Sequence, residues 1–426
     1  MKRRRKKKKK LRFLFILIII MCFIFFLYNK KDNFISSENT SVVEDTEITK
    51  IKKQNDLNFD IPKKYEELFK KYSKVVENNN NVSKYKKEVY NLFQIIMKDN
   101  INEYLDEDYF FDKLSKLNIY VDKSISNDGV GGYYYYDSNI IELDKEGSVQ
   151  VYHELMHFLD SSINSGYSDY NWFCKGKKYK DLEYERLSDD DMGKCIYLGP
   201  YKTDFITEAG AELYSAKYFK KGVVAYFDIT TYFTALEYIF GSEKMDEIFL
   251  SGNSDADFMT LLLENGISVK DYEDTVQDLS FYTYPYKYLD YTPSRKTLDL
   301  LIDLYKKNIK NKIWTNDEEF KYLLRNFMDM GYDAKYEHSK YKSNLDKIAY
   351  KSYDDFLKIE SDMLKQIPSN IEFNTTPIPA YIKDDTMYLG TKIKINGEDK
   401  ENTIGYFKYD FNNKKIIEVN YSFIVE

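Results

Sequence analysis

Val151-Tyr152-His153-Glu154-Leu155-Met156-His157-Phe158-Leu159 is the stretch on which the reading of this chain turns. It holds two of only three histidines in 426 residues. Positions four apart share one face of a helix, so His153 and His157 can bind one metal ion together. Glu154 stands beside them, placed to take a proton from a water at that ion. Apolar residues at 151, 155, 158 and 159 form a helical stripe behind the histidine face. No proline or glycine interrupts positions 149–164, and Gly166 follows as a candidate stop. A helix over this span is expected.

Working upstream, Asn118–Ser124 reads as a strand. Gly131–Tyr136 and Ile140–Leu143 flank the turn-type cluster Asp137-Ser138-Asn139 and read as a hairpin. A small sheet just before a metal-binding helix has an edge strand able to pair with an extended peptide backbone. The tyrosine run is equally well a sheet face in a chain with 42 tyrosines.

A catalytic zinc keeps three protein ligands and leaves a position open. His338, the third histidine, lies far downstream in a charged stretch and reads as a surface residue. A carboxylate is therefore expected as third ligand. Working downstream, Thr207-Glu208-Ala209-Gly210-Ala211-Glu212-Leu213-Tyr214 lies among apolar residues that suit a buried helix, with Glu208 and Glu212 four apart. Buried carboxylates need partners, which a cation and its histidines supply. Glu208 is read as the ligand. Glu212 is read as acceptor for the outer nitrogen of a ligand histidine, which fixes its tautomer. An ordinary amphipathic helix with two exposed glutamates is the alternative.

With those residues in place, the chain resembles the gluzincin metallopeptidases, in which His-Glu-x-x-His is followed downstream by Glu-x-x-x-Asp/Glu. More narrowly, the segment from Tyr201 to Glu212 looks like the catalytic segment of the anthrax lethal factor and Pro-Pro endopeptidase group. The resemblance covers roughly residues 110–220. It implies a zincin-like domain, Zn2+ held by His153, His157 and Glu208, Glu154 as base, Glu212 behind the ligands, and Tyr201 as donor to the developing oxyanion. Met156 departs from the glycine many relatives carry there.

The fold expected is α+β: a zincin-like catalytic domain over residues 61–295, with a small sheet, the histidine helix and a helical lobe. A charged helical region would follow over 296–370 and a small β module over 371–426. Pro62 to about Leu117 has helical patterns broken at Asn78–Asn81, and Val223–Leu263 has them with breaks at Gly241 and Gly252. Near the C-terminus, Asn396-Gly397 and Asn412-Asn413 separate strand-like runs.

Residues 1–30 read as a membrane anchor and 31–60 as a polar tether. Positions 2–10 are all Lys or Arg, and Phe13–Tyr28 carries no charge. As a helix that span covers about 24 Å, slightly short of the ~30 Å hydrocarbon core. Its basic flank predicts a cytoplasmic N-terminus with the rest of the chain outside. A cleaved signal peptide is the alternative, although no small residues close the span. The abundance of Lys, Asn, Ile and Tyr suggests a low-GC bacterium.

The chain carries a net charge of −7. Residues 1–31 hold 12 Lys and Arg and no acid, which leaves 51 basic and 70 acidic residues, or −19, for the remainder. That balance argues against nucleic acid as a partner. Cys174 and Cys195 both fall between the two helices of the site, as a disulfide or as two free thiols. The expected activity is hydrolysis of a protein or peptide substrate. The alternatives are a surface binding or adhesion protein on a zincin scaffold, and a zinc hydrolase of a cell-wall amide.

Overall fold

Phe69, Tyr72 and Val76 fall three and four residues apart, and the helix Glu66–Asn78 buries all three. In the computed structural model Tyr72 stacks on Phe110 at 6.1 Å, and Phe110 meets Phe158 of the histidine helix at 6.3 Å. The N-terminal helices therefore back the histidine helix with aromatic rings. The structure describes residues 59–128, 131–163, 172–174, 195–197, 204–219, 226–251, 254–283, 296–309, 316–324, 353–373, 378–383, 386–397 and 403–423. The chain divides into Met1–Asp60 and Ile61–Glu426, and every element below belongs to the second unit. Its architecture is mixed α+β with small sheets.

Strands β1 (Asn118–Val121), β2 (Gly132–Tyr135) and β3 (Ile140–Leu143) form the first sheet, in the order β1-β3-β2. β1 is parallel to β3 and β2 antiparallel to it. Asn139, with φ 56°, closes the expected hairpin. β1 is shorter than its sequence pattern, because Asp122 accepts the Ser124 backbone N–H at 2.8 Å and turns the chain into a 3-10 segment, Lys123–Asp128. The histidine helix runs Gln150–Ser162, just inside its expected limits. Tyr134 of β2 meets Phe158 edge-on at 6.1 Å, so Phe158 is clamped between the sheet and the N-terminal helices.

β4 (Trp172–Cys174) and β5 (Cys195–Tyr197) pair antiparallel with Cys174 in register with Cys195. The second site helix, Asp204–Phe219, buries Phe205, Ile206, Ala209, Ala211, Leu213 and Tyr214, as an all-round apolar helix must. Helices Phe227–Phe240, Ser242–Phe249, Ser254–Glu264, Val269–Thr283 and Lys296–Asn308 follow. Gly241, at φ 95°, divides the first two at the expected break. Helices Asp317–Leu323 and Tyr353–Leu364 lead into the C-terminal sheet.

That sheet contains β6 (Ile371–Phe373), β7 (Ile378–Lys383), β8 (Thr386–Ile395), β9 (Thr403–Asp410) and β10 (Lys415–Phe423). Its path is β10-β9-β8-β6, with β7 also pairing β8. The chain leaves β8 through Asn396-Gly397, both at positive φ, as the dipeptide predicts. β7 packs against the helices Asp204–Phe219 and Phe227–Phe240. The Ile382 backbone N–H donates to Glu237 Oε2 at 3.2 Å, tying this sheet to the helix next to the site. Among the described residues no helix is long and apolar enough to cross a membrane. The span Phe13–Tyr28, the tether and His338 lie outside those residues.

Candidate metal centre

His153 and His157 project from one face of the histidine helix, one turn apart, as their spacing requires. Their rings meet edge-on at 4.8 Å. The Nε2 atoms lie 3.1 Å apart, and Glu208 Oε2 lies 3.2 Å from the first and 3.6 Å from the second. These three side chains form a group that could hold a metal ion. Nitrogen and oxygen ligands at 2.0–2.2 Å from a tetrahedral ion sit about 3.3–3.6 Å from one another, so the 3.6 Å edge matches and the 3.1 and 3.2 Å edges are slightly short of it.

Protonation strengthens that assignment. Glu212 is fully buried, and its Oε2 lies 2.9 Å from His153 Nδ1. An ionised carboxylate only accepts, so Nδ1 carries a proton, and in the neutral ring Nε2 is left for a metal ion. Nε2 faces a carboxylate oxygen and a second imidazole nitrogen. What gathers these atoms is a metal cation or, without one, the imidazole protons that hydrogen-bond Glu208. The exposed-glutamate alternative for this helix is excluded by the burial of Glu212.

Burial pushes the Glu208 carboxyl upward, but the charges and hydrogen bonds of His157 and His153 outweigh it and hold the group well below the usual carboxylate range. It is therefore ionised, as a ligand must be.

Glu154 points from the same helix toward β2 and is buried. A Cβ built on Gly132 would fall 2.8 Å from Glu154 Oε1 and 2.9 Å from its Cγ. Only glycine lets the β2 backbone pass this close to the carboxylate. Gly131 makes the same allowance for Gln150, at 2.6 Å. The pair Gly131-Gly132 thus sets the edge strand directly beside the candidate base.

The helix carrying the glutamates is fixed from behind. A Cβ on Gly210 would lie 2.2 Å from the Phe249 ring, so the missing side chain is what admits that ring. Tyr214 stacks on Phe249 at 4.9 Å. Buried Lys217 donates to Glu237 Oε1 at 2.5 Å and lies 3.7 Å from Asp246, which also bonds Tyr214 and Lys98. Tyr406 of β9 is buried within the electrostatic reach of Glu212.

Two tyrosine rings border the histidines. Tyr136 meets His157 edge-on at 6.5 Å, and Tyr226 stacks over His153 at 6.1 Å with planes 24° apart. Tyr226 has φ 54° and ψ 35°, a left-handed conformation uncommon for a bulky residue. Its carbonyl accepts from Thr230 N at 2.9 Å, opening the next helix. Nothing in the sequence marks Tyr226, whereas Gly131-Gly132 could have been noticed as a break in a strand pattern. Tyr201, expected at the oxyanion, lies outside the described residues.

No family model matches the chain, and no curated protein or solved structure is significantly similar to it.

Proposed function

We propose that this protein is a zinc-dependent endopeptidase of the gluzincin type, related in its site to the lethal factor and Pro-Pro endopeptidase group. The observation that carries the reading is the triangle of His153, His157 and Glu208 donor atoms with Glu154 held against the β2 backbone. The histidines and Glu208 would hold the zinc. When bound, that ion lowers the pKa of water toward neutrality and polarises a carbonyl.

The chain's own groups supply the rest. Glu154 accepts the proton of the attacking water and returns it to the leaving amine. β2, an edge strand in its sheet, offers backbone groups to an extended substrate, which aligns the scissile bond over Glu154. Glu212 keeps the proton of His153 on Nδ1, leaving Nε2 for the ion. Tyr201 is assigned as the donor that meets charge building on the former carbonyl oxygen. The basic start and the span Phe13–Tyr28 fit an anchor with the catalytic unit outside the cell.

The test is a peptide-library digest by the purified protein, with and without a chelator, beside Glu154→Gln. The native protein should hold about one zinc and cleave, and the chelator should abolish cleavage. Glu154→Gln should keep the metal and lose nearly all activity, since an amide cannot accept the water's proton. Native-rate cleavage by that variant would refute the mechanism.

A further inference from the structure

The first sheet has a second face, turned away from the histidine helix. Along β2, Gly132 and Tyr134 are buried while Tyr133 and Tyr135 stand 38% and 44% exposed. Tyr120 of β1 is 40% exposed. The register sets Tyr120 opposite Glu142 and Glu142 opposite Tyr133, so a Tyr–Glu–Tyr row crosses all three strands. Tyr135, two residues further along β2, donates its hydroxyl to Glu142 Oε2 at 2.8 Å. The Tyr120 hydroxyl and Asp122 also lie close enough to act on that carboxylate. Three of the six large hydrophobic side chains exposed among the described residues therefore surround one carboxylate.

Single exposed aromatics need no explanation, but a cluster does. The face of a tyrosine ring carries the negative part of its quadrupole and attracts cations. Tyr133 and Tyr135 present two such rings with centroids 6.0 Å apart and planes at 41°. Glu142 and Asp122 add negative charge beneath and beside them. The groups acting on Tyr120 and Tyr135 are acids and other tyrosines. The chemical complement of this surface is an organic cation with a polarisable stem.

The place of β2 says where that cation comes from. β2 is the sheet edge that passes Glu154, and a peptide paired to it would extend the cross-strand row by one position. Every second residue of such a peptide would lie on the face of Tyr133 and Tyr135, about 4.8 Å from β2. A lysine or arginine side chain there lays its alkyl stem along the rings and brings its charge toward Glu142. We propose that the Tyr120–Glu142–Tyr133 row, with Tyr135, binds a basic side chain of a peptide extended along β2. The proposal rests on the peptidase reading for the source of the peptide, not for the chemistry of the face.

The experiment compares the native protein with Glu142→Gln and with the double variant Tyr133→Ser/Tyr135→Ser. In a position-scanning peptide library, Lys and Arg should be favoured over norleucine at one position, or at two positions two apart, by roughly three- to tenfold in kcat/KM. That ratio should fall toward one in both variants while their metal content stays at the native level. No basic preference in the native protein, or a preference that survives both variants, overturns the proposal. If the native protein cleaves no peptide, the peptidase reading fails and binding decides. Fluorescence anisotropy of labelled Lys-containing and norleucine-containing peptides on the metal-free protein then supplies the same ratio, with the same two outcomes.

Discussion

The two helices that meet at the candidate metal centre reach it by different routes. Gln150–Ser162 delivers two donors and the candidate base from five consecutive residues, and helical geometry alone brings them together. Asp204–Phe219 delivers one donor and one supporting carboxylate, and its position depends on residues far along the chain. Phe249 fits against Gly210, Glu237 pairs with Lys217, and Ile382 reaches back to Glu237. One half of the site is written locally. The other half is placed by tertiary packing. The difference predicts that substitutions in the first half act on metal binding alone, whereas those in the second act on metal and fold together.

The sharpest break should come from His153→Ala. It removes a proposed ligand on a helix whose opposite face is packed against Phe110 and Tyr134 through Phe158. Metal affinity should fall by more than the roughly 10–100-fold typical of losing an outer partner. Thermal unfolding of the metal-free protein should stay close to native. Metal analysis and a melting curve in chelator check both halves of that statement. A large drop in metal-free stability would show that the histidine helix is not self-sufficient.

Lys217→Met probes the other helix. It leaves Glu237 buried without its ammonium, while Asp246 keeps Lys98. Stripping one partner from a buried ion pair costs about 3–5 kcal/mol. Here the metal-free protein should melt early, and metal affinity should fall with it, although Lys217 touches no ligand. Denaturant unfolding with and without zinc separates the two effects. A variant with native stability would mean that the remote contacts do not hold this helix.

The same division explains how far the sequence could be read. The motif helix, the hairpin with its Asn139 turn, the breaks at Gly241 and Asn396-Gly397, and the identities of Glu208 and Glu212 are all local signals: spacing, turn chemistry, period. The parallel pairing of β1 with β3 is not, because strand order depends on contacts that no local pattern encodes. Gly132 reads as a weak point in a strand until Glu154 is seen beside it. Phe249 carries no mark of its partner Gly210, and Lys217 is an ordinary basic residue in a last helical turn until Glu237 is known to meet it. The C-terminal strands were legible as strands, but their packing of β7 behind the glutamates was not.

Glu212→Gln is a finer test, since it changes charge while keeping volume and an acceptor for His153 Nδ1. Metal affinity should drop by about tenfold, the low end for an outer partner. Stability of the metal-free protein should change less than in Lys217→Met. Zinc competition against a chromophoric chelator measures the first quantity, and an unchanged affinity would remove Glu212 from the support of His153.

Tyr226 carries the smallest expected effect and the most informative one, because two influences on it oppose each other. Its left-handed backbone costs roughly 1 kcal/mol for an ordinary side chain, while its ring lies over His153. Asn tolerates that conformation far better than Tyr. Tyr226→Asn should therefore relieve strain and offset part of the lost ring packing, leaving the fold within about 1 kcal/mol of native. The stacking contact would still be gone, and the His153 ring would keep Glu212 but lose the ring over it. Zinc affinity should fall by a few fold with no matching loss in melting temperature. Parallel losses in both would make Tyr226 a packing residue of the second helix group. A selective loss of affinity would show that this strained turn, 73 positions beyond His153, acts on the histidine itself, as substitutions in the locally written half do.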